Sequence, residues 1–136
     1  LTIHPMQPED LPAVARIDAQ AFDDLWQNPL STLQLALRQS GYATVVKSGS
    51  DIIAYQISTI GFSSAHLARL AVAPEWQGKR LGRLLVQDLQ THFWLLNYGE
   101  VSVNTQSDNQ ASLALYHSLG FVETGDRFPV FVHTTG

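Results

Sequence analysis

Cysteine is absent from the 136 residues of the chain. Its absence excludes a disulfide framework, a zinc–thiolate site and a cysteine nucleophile. No apolar run reaches the roughly 18 residues that a membrane-spanning helix needs, so we expect no membrane partner. No basic stretch followed by an apolar segment opens the chain, which begins with Leu1 as a trimmed chain or a part of a longer product would. Because no signal peptide is indicated, a cytoplasmic location is the expectation.

Several nucleotide-binding and metal-binding motifs are also missing. The sequence contains neither the GxxxxGK(S/T) spacing of a P-loop nor the GxGxxG of a dinucleotide-binding turn. Its five histidines form no HExxH motif, and no two of them have the spacing of metal ligands. We therefore expect no bound metal ion.

Charge is sparse and mostly negative. Charged residues make up 15% of the chain and the net charge is −4. This balance argues against nucleic acid as a partner, because nucleic acid needs a basic surface. The one local cluster of basic residues in the sequence consists of Lys79, Arg80 and Arg83. A small basic cluster in an acidic chain indicates a site for a small anion.

Hydrophobic periodicity divides the chain into strands and helices with no repeat or linker, so we expect one domain over residues 1–136. Strands are expected at 2–6, 42–47, 52–60, 66–72, 100–105, 121–124 and 128–133, and helices at 8–22, 30–41, 78–97 and 107–119. The strands at 66–72 and 100–105 flank a long helix, which predicts a parallel pair. The fold class is α/β (α+β), with a mixed, mostly antiparallel central sheet of about seven strands flanked by about four helices.

Two of these elements carry apolar patterns that predict which side chains face the core. In the strand at 66–72, Ala68, Leu70 and Val72 alternate onto one face. The helix at 78–97 has an apolar stripe of Leu81, Leu84, Leu85, Leu89, Phe93 and Leu96.

Residues 70–83 join the end of a strand to the start of a helix. The first N–H groups of a helix lack partners and carry about half a positive charge, which suits a phosphate. Gly78 and Gly82 have no Cβ to hold a phosphate away from the backbone, and the basic cluster lies at the same place. This segment is expected to bind a pyrophosphate. The alternative is an ordinary turn glycine followed by a solvated basic helix face.

A second segment, residues 109–121, carries polar groups on a helix. Asn109 lies in the first turn, and Tyr116, seven residues further on, falls on roughly the same face. The amide can hydrogen-bond a polar ligand, and the phenol can give a proton to a leaving thiolate. The alternative for Tyr116 is a core tyrosine with its hydroxyl at the rim.

Together these segments resemble the GNAT superfamily of acetyl-CoA-dependent N-acetyltransferases. The family's Q/R-x-x-G-x-G/A loop is matched by residues 77–82, with Arg80 at the position where the central glycine usually stands. Its second signature, N-x-x-A/S-x-x-L-Y-x-x-x-G-F, is matched by Asn109, Ser112, Leu115, Tyr116, Gly120 and Phe121. The order of strands and helices is similar to the family's over essentially the whole chain.

The resemblance implies a role for each matched residue. Acetyl-CoA is the implied cosubstrate, and its pantetheine arm would pair with the backbone of residues 70–72 like an extra strand. Backbone groups of the loop would hold the pyrophosphate, and Asn109 would touch the coenzyme arm. Tyr116 would protonate the departing thiolate after direct attack by the amine. The implied coenzyme contacts are Leu70, Ala71, Val72, Gln77, Gly78, Lys79, Arg80, Leu81, Gly82, Arg83 and Asn109.

The acceptor amine and the general base stay open. The chain is similar to the branch that acetylates protein N-termini, ribosomal proteins included, so a peptide N-terminus or a small amine is the expected acceptor. A glutamate often precedes the asparagine in that branch, and here Glu100 and Ser102 are candidate positions, with a water chain as the alternative base. His66 lies on the strand that leads to the reaction centre.

Three further expectations accompany this assignment. The loop residues Asp23, Asp24 and Trp26 either attract a cationic amine or form an ordinary solvated loop. The last two strands offer an edge at which a second copy of the chain can pair to form a homodimer. The alternative function is a non-catalytic acyl-CoA-binding sensor module on the same fold.

Overall fold

The computed structural model describes residues 1–21, 30–104, 110–123 and 130–134. Within them the helices are α1 (Leu11–Ala21), α2 (Leu30–Gln39), α3 (Leu81–Leu95) and α4 (Gln110–Ser118), with short 3₁₀ turns at Pro8–Asp10 and Pro74–Trp76. The strands are β1 (Thr2–Pro5), β2 (Tyr42–Ser48), β3 (Asp51–Ile60), β4 (Ser64–Val72), β5 (Glu100–Asn104), β6 (Val122–Glu123) and β7 (Val130–Thr134).

The seven described strands form one sheet in the order β1-β2-β3-β4-β5-β7-β6. Every neighbouring pair is antiparallel except β4 and β5, which are parallel. The crossover between these two strands contains α3, because a parallel connection needs a long excursion. The mixed α/β architecture and the parallel pair expected from the sequence are confirmed. Two-residue β6 forms one edge of the sheet.

Helices cover both faces of the sheet. On one face α1 and α2 pack a core around Val14, Leu33, Tyr55 and Ile57. On the other face α3 packs Leu85 against β2 and β3, and Leu89 and Phe93 against β4 and β5. On the face covered by α3, β4 and β5 therefore pack against a continuous apolar layer.

A bulge at Ala68 changes the face of β4 on which the apolar side chains lie. Arg69 pairs with Ile57 and Leu67 pairs with Ser58, so Ala68 has no partner on β3. Leu67 lies on the α3 face before the bulge, and Leu70 lies on that same face after it. The expectation that Ala68 shares a face with Leu70 and Val72 is therefore wrong, because one extra residue reverses the alternation. Ala68 itself is exposed.

Helix α3 begins three residues later than its pattern predicts. Gly78 and Arg80 both have a positive φ, which no helix accommodates, so residues 78–80 belong to the loop. Two leucines of the predicted stripe, Leu84 and Leu96, are exposed. Buried positions repeat every four residues, at Leu81, Leu85, Leu89 and Phe93. None of the described helices is both long and apolar enough to cross a bilayer.

Candidate active site

The parallel strands β4 and β5 stay paired over only part of their length. Their pairing runs from Ser64 opposite Glu100 to Leu67 opposite Val103, and it ends there. Beyond that rung β4 continues through five more residues to Val72 with β3 as its partner, while β5 pairs with β7. We call this place, where β4 leaves β5 at the Leu67–Val103 rung, the fork. The bulge at Ala68 follows the last paired residue of β4 directly and bends the strand there.

Beyond the fork β4 presents backbone polar groups on the side where β5 has left it. The Ala73 N–H donates to the Ile53 carbonyl at 2.8 Å, so Ala73 faces β3. Because successive residues of a strand point their N–H and C=O groups in alternate directions, Leu70 and Val72 face away from β3. Both residues therefore present their backbone N–H and C=O groups on the free side of β4. The backbone of Ala71 is turned to β3 and its side chain is buried against α1, so this expected contact does not face the free edge.

One polar group on this free edge already has a partner. The Gln77 side-chain amide donates to the Val72 carbonyl at 3.2 Å. This contact bridges the loop and the strand end. It places Gln77, the first residue of the loop motif, at the junction between the free edge of β4 and the start of α3.

The loop before α3 forms an open cradle of backbone groups. Gly78 has φ +80°, and a Cβ there would meet nothing within 4 Å, so the chain passes through open space. Arg80 precedes the helix with φ 65°, and its side chain makes no capping hydrogen bond. The Arg80 side chain therefore does not cap the first N–H groups of α3, and such groups at a helix start are able to bind an anion. Lys79 is exposed beside them.

The remaining residues of the motif segment, at the start of α3, make packing contacts within the protein. The Arg83 guanidinium donates to the Ser118 hydroxyl at 2.8 Å, which joins α3 to α4. A Cβ on Gly82 would lie 3.5 Å from a methyl of Leu115 and 3.8 Å from one of Leu70. Both distances are ordinary van der Waals contacts, so packing against α4 and β4 does not by itself require a glycine at position 82. Leu81 is buried, so only its backbone is available to a ligand.

Tyr116 lies under the fork on the α3 side of the sheet. It is 7% exposed and shares one buried cluster with Leu67 and Val103, the last paired residues of the fork. Its ring meets Phe121 edge to face at 5.6 Å between centroids. Burial raises the pKa of Tyr116 to about 12. The phenol therefore stays protonated at neutral pH, as a proton donor must.

The opposite face of the fork carries His66 and Ser102. His66 Nδ1 lies 2.8 Å from Ser102 Oγ, across the rung that precedes Leu67–Val103. Val101 and Val103 point into the α3-side core, so Ser102 between them points to the other face. Burial lowers the pKa of His66 because it penalises the imidazolium form. Sequence reasoning singled out both residues but did not pair them.

A buried ionic network near the fork was missed by sequence reasoning. Asp18 of α1 is fully buried, and Arg69 of β4 donates to its two oxygens at 2.6 Å and 3.0 Å. The Tyr55 hydroxyl donates to the same carboxylate. Arg69 is the residue directly after the bulge at Ala68, so this network joins α1 to β4 where the strand leaves the fork. An aspartate inside the apolar helical pattern at 11–21 was the available signal.

Several candidate residues lie outside the described part of the chain. They are Asn109, Asp23, Asp24 and Trp26. Glu100 is exposed at the start of β5, where it pairs with Ser64 at the far end of the paired segment. Among the described residues no group of three or more histidine, cysteine, aspartate or glutamate side chains is arranged to hold a metal ion.

A strand pair that parts beside a helix N-terminus is the arrangement that the matched motifs imply, and comparison with known proteins decides the family. The model of the acetyltransferase (GNAT) family matches residues 11–121. The chain belongs to the GNAT family. It is therefore an N-acetyltransferase by family, and acetyl-CoA is the acetyl donor that this family uses.

Two of the similar curated proteins are bacterial N-acetyltransferases. The chain is 31% identical over 133 residues to the N-alpha-acetyltransferase RimI of Mycobacterium tuberculosis, an alignment that covers 93% of the chain and 82% of that protein. It is 27% identical over 135 residues to the ribosomal protein bS18-alanine N-acetyltransferase of Escherichia coli, with 99% of the chain and 90% of that enzyme covered.

Solved structures show the same fold. The crystal structure of the E. coli ribosomal-protein alanine N-acetyltransferase superposes with a TM-score of 0.84 at 24% identity, covering 96% of this chain and 90% of that one. The PaiA N-acetyltransferase of Thermoplasma acidophilum, solved in complex with coenzyme A, gives a TM-score of 0.87 at 15% identity, with 98% of each chain covered.

Proposed function

We propose that this acetyltransferase moves the acetyl group of acetyl-CoA to the α-amino group of a protein N-terminus. The fork is the observation that carries the proposal, because it combines an unpaired strand edge, a helix N-terminus and a buried phenol at one place. The relatives support the acceptor, since one is named as an N-alpha-acetyltransferase and another as an enzyme for the N-terminal alanine of a ribosomal protein.

The coenzyme is assigned to the free edge of β4 and the loop before α3. Leu70 and Val72 offer backbone groups to the amides of the pantetheine arm. The backbone N–H groups from Gly78 to Arg83 hold the pyrophosphate at the positive end of the helix. Since Gln77 occupies the Val72 carbonyl, the arm either shares that acceptor or displaces the Gln77 amide. Asn109 adds a polar contact to the arm.

The chemistry is assigned to the fork. The acceptor amine attacks the thioester carbonyl directly, with both substrates bound at once. A C–N bond forms as the C–S bond breaks, and the sulfur leaves as a thiolate. Tyr116 gives its phenolic proton to that thiolate. Its high pKa keeps the proton on the phenol until the thiolate forms, and burial beside Leu67 and Val103 holds it at the fork.

Two peptides that differ only in their free amines test the acceptor. One begins with a free alanine and contains no lysine, and the other is blocked at its N-terminus and carries one internal lysine. Incubation with acetyl-CoA, followed by mass spectrometry and a thiol-release assay, should show one acetyl group on the first peptide alone. Acetylation of the lysine peptide would contradict the acceptor assignment. Bound acetyl-CoA with no thiol release in a wider panel of amines would favour the non-catalytic module.

A further inference from the structure

The fork has a titratable side chain on each face of the sheet. Tyr116 lies on the face covered by α3 and α4, and His66 with Ser102 lies on the other. The α3 side of the fork is filled by the buried cluster that contains Leu67 and Val103. The acceptor amine is assigned to the His66 side, where the histidine is only partly buried.

A hydrogen bond across the β4–β5 pair joins His66 to Ser102. The Ser102 hydroxyl has one hydrogen, and it donates that hydrogen towards the Ala65 carbonyl at 3.5 Å. Its oxygen then accepts a hydrogen bond from His66 Nδ1 at 2.8 Å. In a neutral imidazole with the proton on Nδ1, the lone pair is on Nε2. In that tautomer Nε2 is the ring nitrogen that can accept a proton.

We infer that His66, oriented by Ser102, is the proton acceptor for the incoming amine. This inference rests on the proposed function and names the base that the sequence left open. An N-terminal ammonium passes one proton to Nε2 of His66, and the nitrogen lone pair then attacks the thioester carbon. As the C–N bond forms and the C–S bond breaks, the nitrogen loses its second proton to solvent. Tyr116 protonates the thiolate and regains a proton from solvent, and His66 releases its own, so one proton is released overall.

The charges around His66 suit this role. The charged and titratable side chains described on the strands and helices of this face include Glu100 of β5, Arg69 of β4, Tyr55 of β3, Asp18 and Arg16 of α1, and Arg38 of α2. Asp18 and Arg69 neutralise each other in a direct ion pair. Burial is the cause of the lowered pKa of His66. Burial therefore favours the neutral ring, which is the form that can accept a proton.

Replacing the ring with an amide tests the inference. His66→Gln should lower kcat/KM for a free-N-terminus peptide roughly 10-fold to 100-fold at pH 7, while calorimetry shows unchanged affinity for acetyl-CoA. An α-amino group titrates at about 7.7–8.0, so near pH 9 the amine is already neutral and the defect should shrink. Ser102→Ala should give a smaller loss with the same pH dependence. His4→Gln, on the edge strand β1, is the control and should leave the pH profile unchanged.

The outcomes separate the inference from the function it rests on. A wild-type chain that acetylates no amine would overturn the proposed function. An active wild type with the same pH profile as His66→Gln would overturn the inference alone. A defect of equal size at pH 7 and pH 9 would also overturn it, since loss of packing does not depend on the ionisation of the amine. If His66→Gln does not fold, the pH dependence of Ser102→Ala decides in the same way.

Discussion

At the scale of single residues, Arg80 bears a strain that the loop imposes on it. Its φ of 65° is the left-handed conformation, which costs a residue with a Cβ about 1 kcal/mol. The matched motif usually has glycine at this position, and glycine adopts this conformation without that cost. An arginine that persists here supplies a positive charge at the start of α3, where an anionic ligand would be bound.

Arg80→Gly should therefore stabilise the fold by about 1 kcal/mol and weaken binding of acetyl-CoA. Urea denaturation and calorimetric titration measure the two effects. Lys79→Gly is the matched control, because it removes a neighbouring positive charge from a residue without positive φ. Equal changes in stability for the two variants would show that the strain at Arg80 has no energetic consequence.

The proposed role of Tyr116 depends on its phenolic hydroxyl group. Tyr116→Phe keeps the ring in the buried cluster and removes the proton that the thiolate needs. We expect kcat to fall about 100-fold or more, with acetyl-CoA affinity unchanged. Tyr98→Phe removes the same atom from the same cluster, where the ring packs against Phe93, and should leave kcat near wild type. Full activity of Tyr116→Phe would show that Tyr116 contributes packing and not a proton.

At the scale of elements, α1 is joined to β4 by the Asp18–Arg69–Tyr55 network. Removing one charge from a buried pair leaves the other without compensation, and the Arg69 side chain, 22% exposed, is partly relieved by solvent. Asp18→Asn should lower the free energy of unfolding by ~2–4 kcal/mol. Tyr55→Phe removes one hydrogen bond to the same carboxylate and should cost about 1 kcal/mol. Chemical denaturation of both variants measures the difference, and equal costs would contradict a dominant ion pair.

Sequence periodicity predicts the elements better than their irregularities. Apolar residues about four apart predict the buried face of α3, and apolar residues two apart predict the neighbouring strands. The bulge at Ala68 could not be predicted, because Ala68, Leu70 and Val72 satisfy a regular alternation as written. The late start of α3 could not be predicted either, since arginine is compatible with a helix and only the backbone shows that Arg80 is left-handed.

At the scale of the whole molecule, the site depends on contacts between distant parts of the chain. The two motifs are local patterns, so residues 70–83 and Tyr116 could be named as candidates from the sequence alone. His66 meets Ser102 across 36 positions and Asp18 meets Arg69 across 51. A single sequence contains no information about such pairs beyond residue type, so their discovery needed the register of β4 on β5 and the placement of α1.

The net charge of the protein and the charge of the coenzyme have the same sign. The chain has a net charge of −4, and acetyl-CoA is an anion, so binding depends on local positive charge at the start of α3 rather than on the field of the whole protein. Lys79 is exposed in that loop. Arg16 is exposed on α1, which lies on the other face of the sheet. Substituting glutamate for either residue changes the net charge equally.

Calorimetric titration of Lys79→Glu and Arg16→Glu with acetyl-CoA therefore tests the central claim most directly. The account predicts that Lys79→Glu weakens binding roughly tenfold, as loss of a charge-assisted contact does, and that Arg16→Glu binds like wild type. Both variants should bind S-acetyl-pantetheine, which has no pyrophosphate, as the wild type does. Equal losses in the two variants, or none in Lys79→Glu, would contradict a coenzyme site at the start of α3.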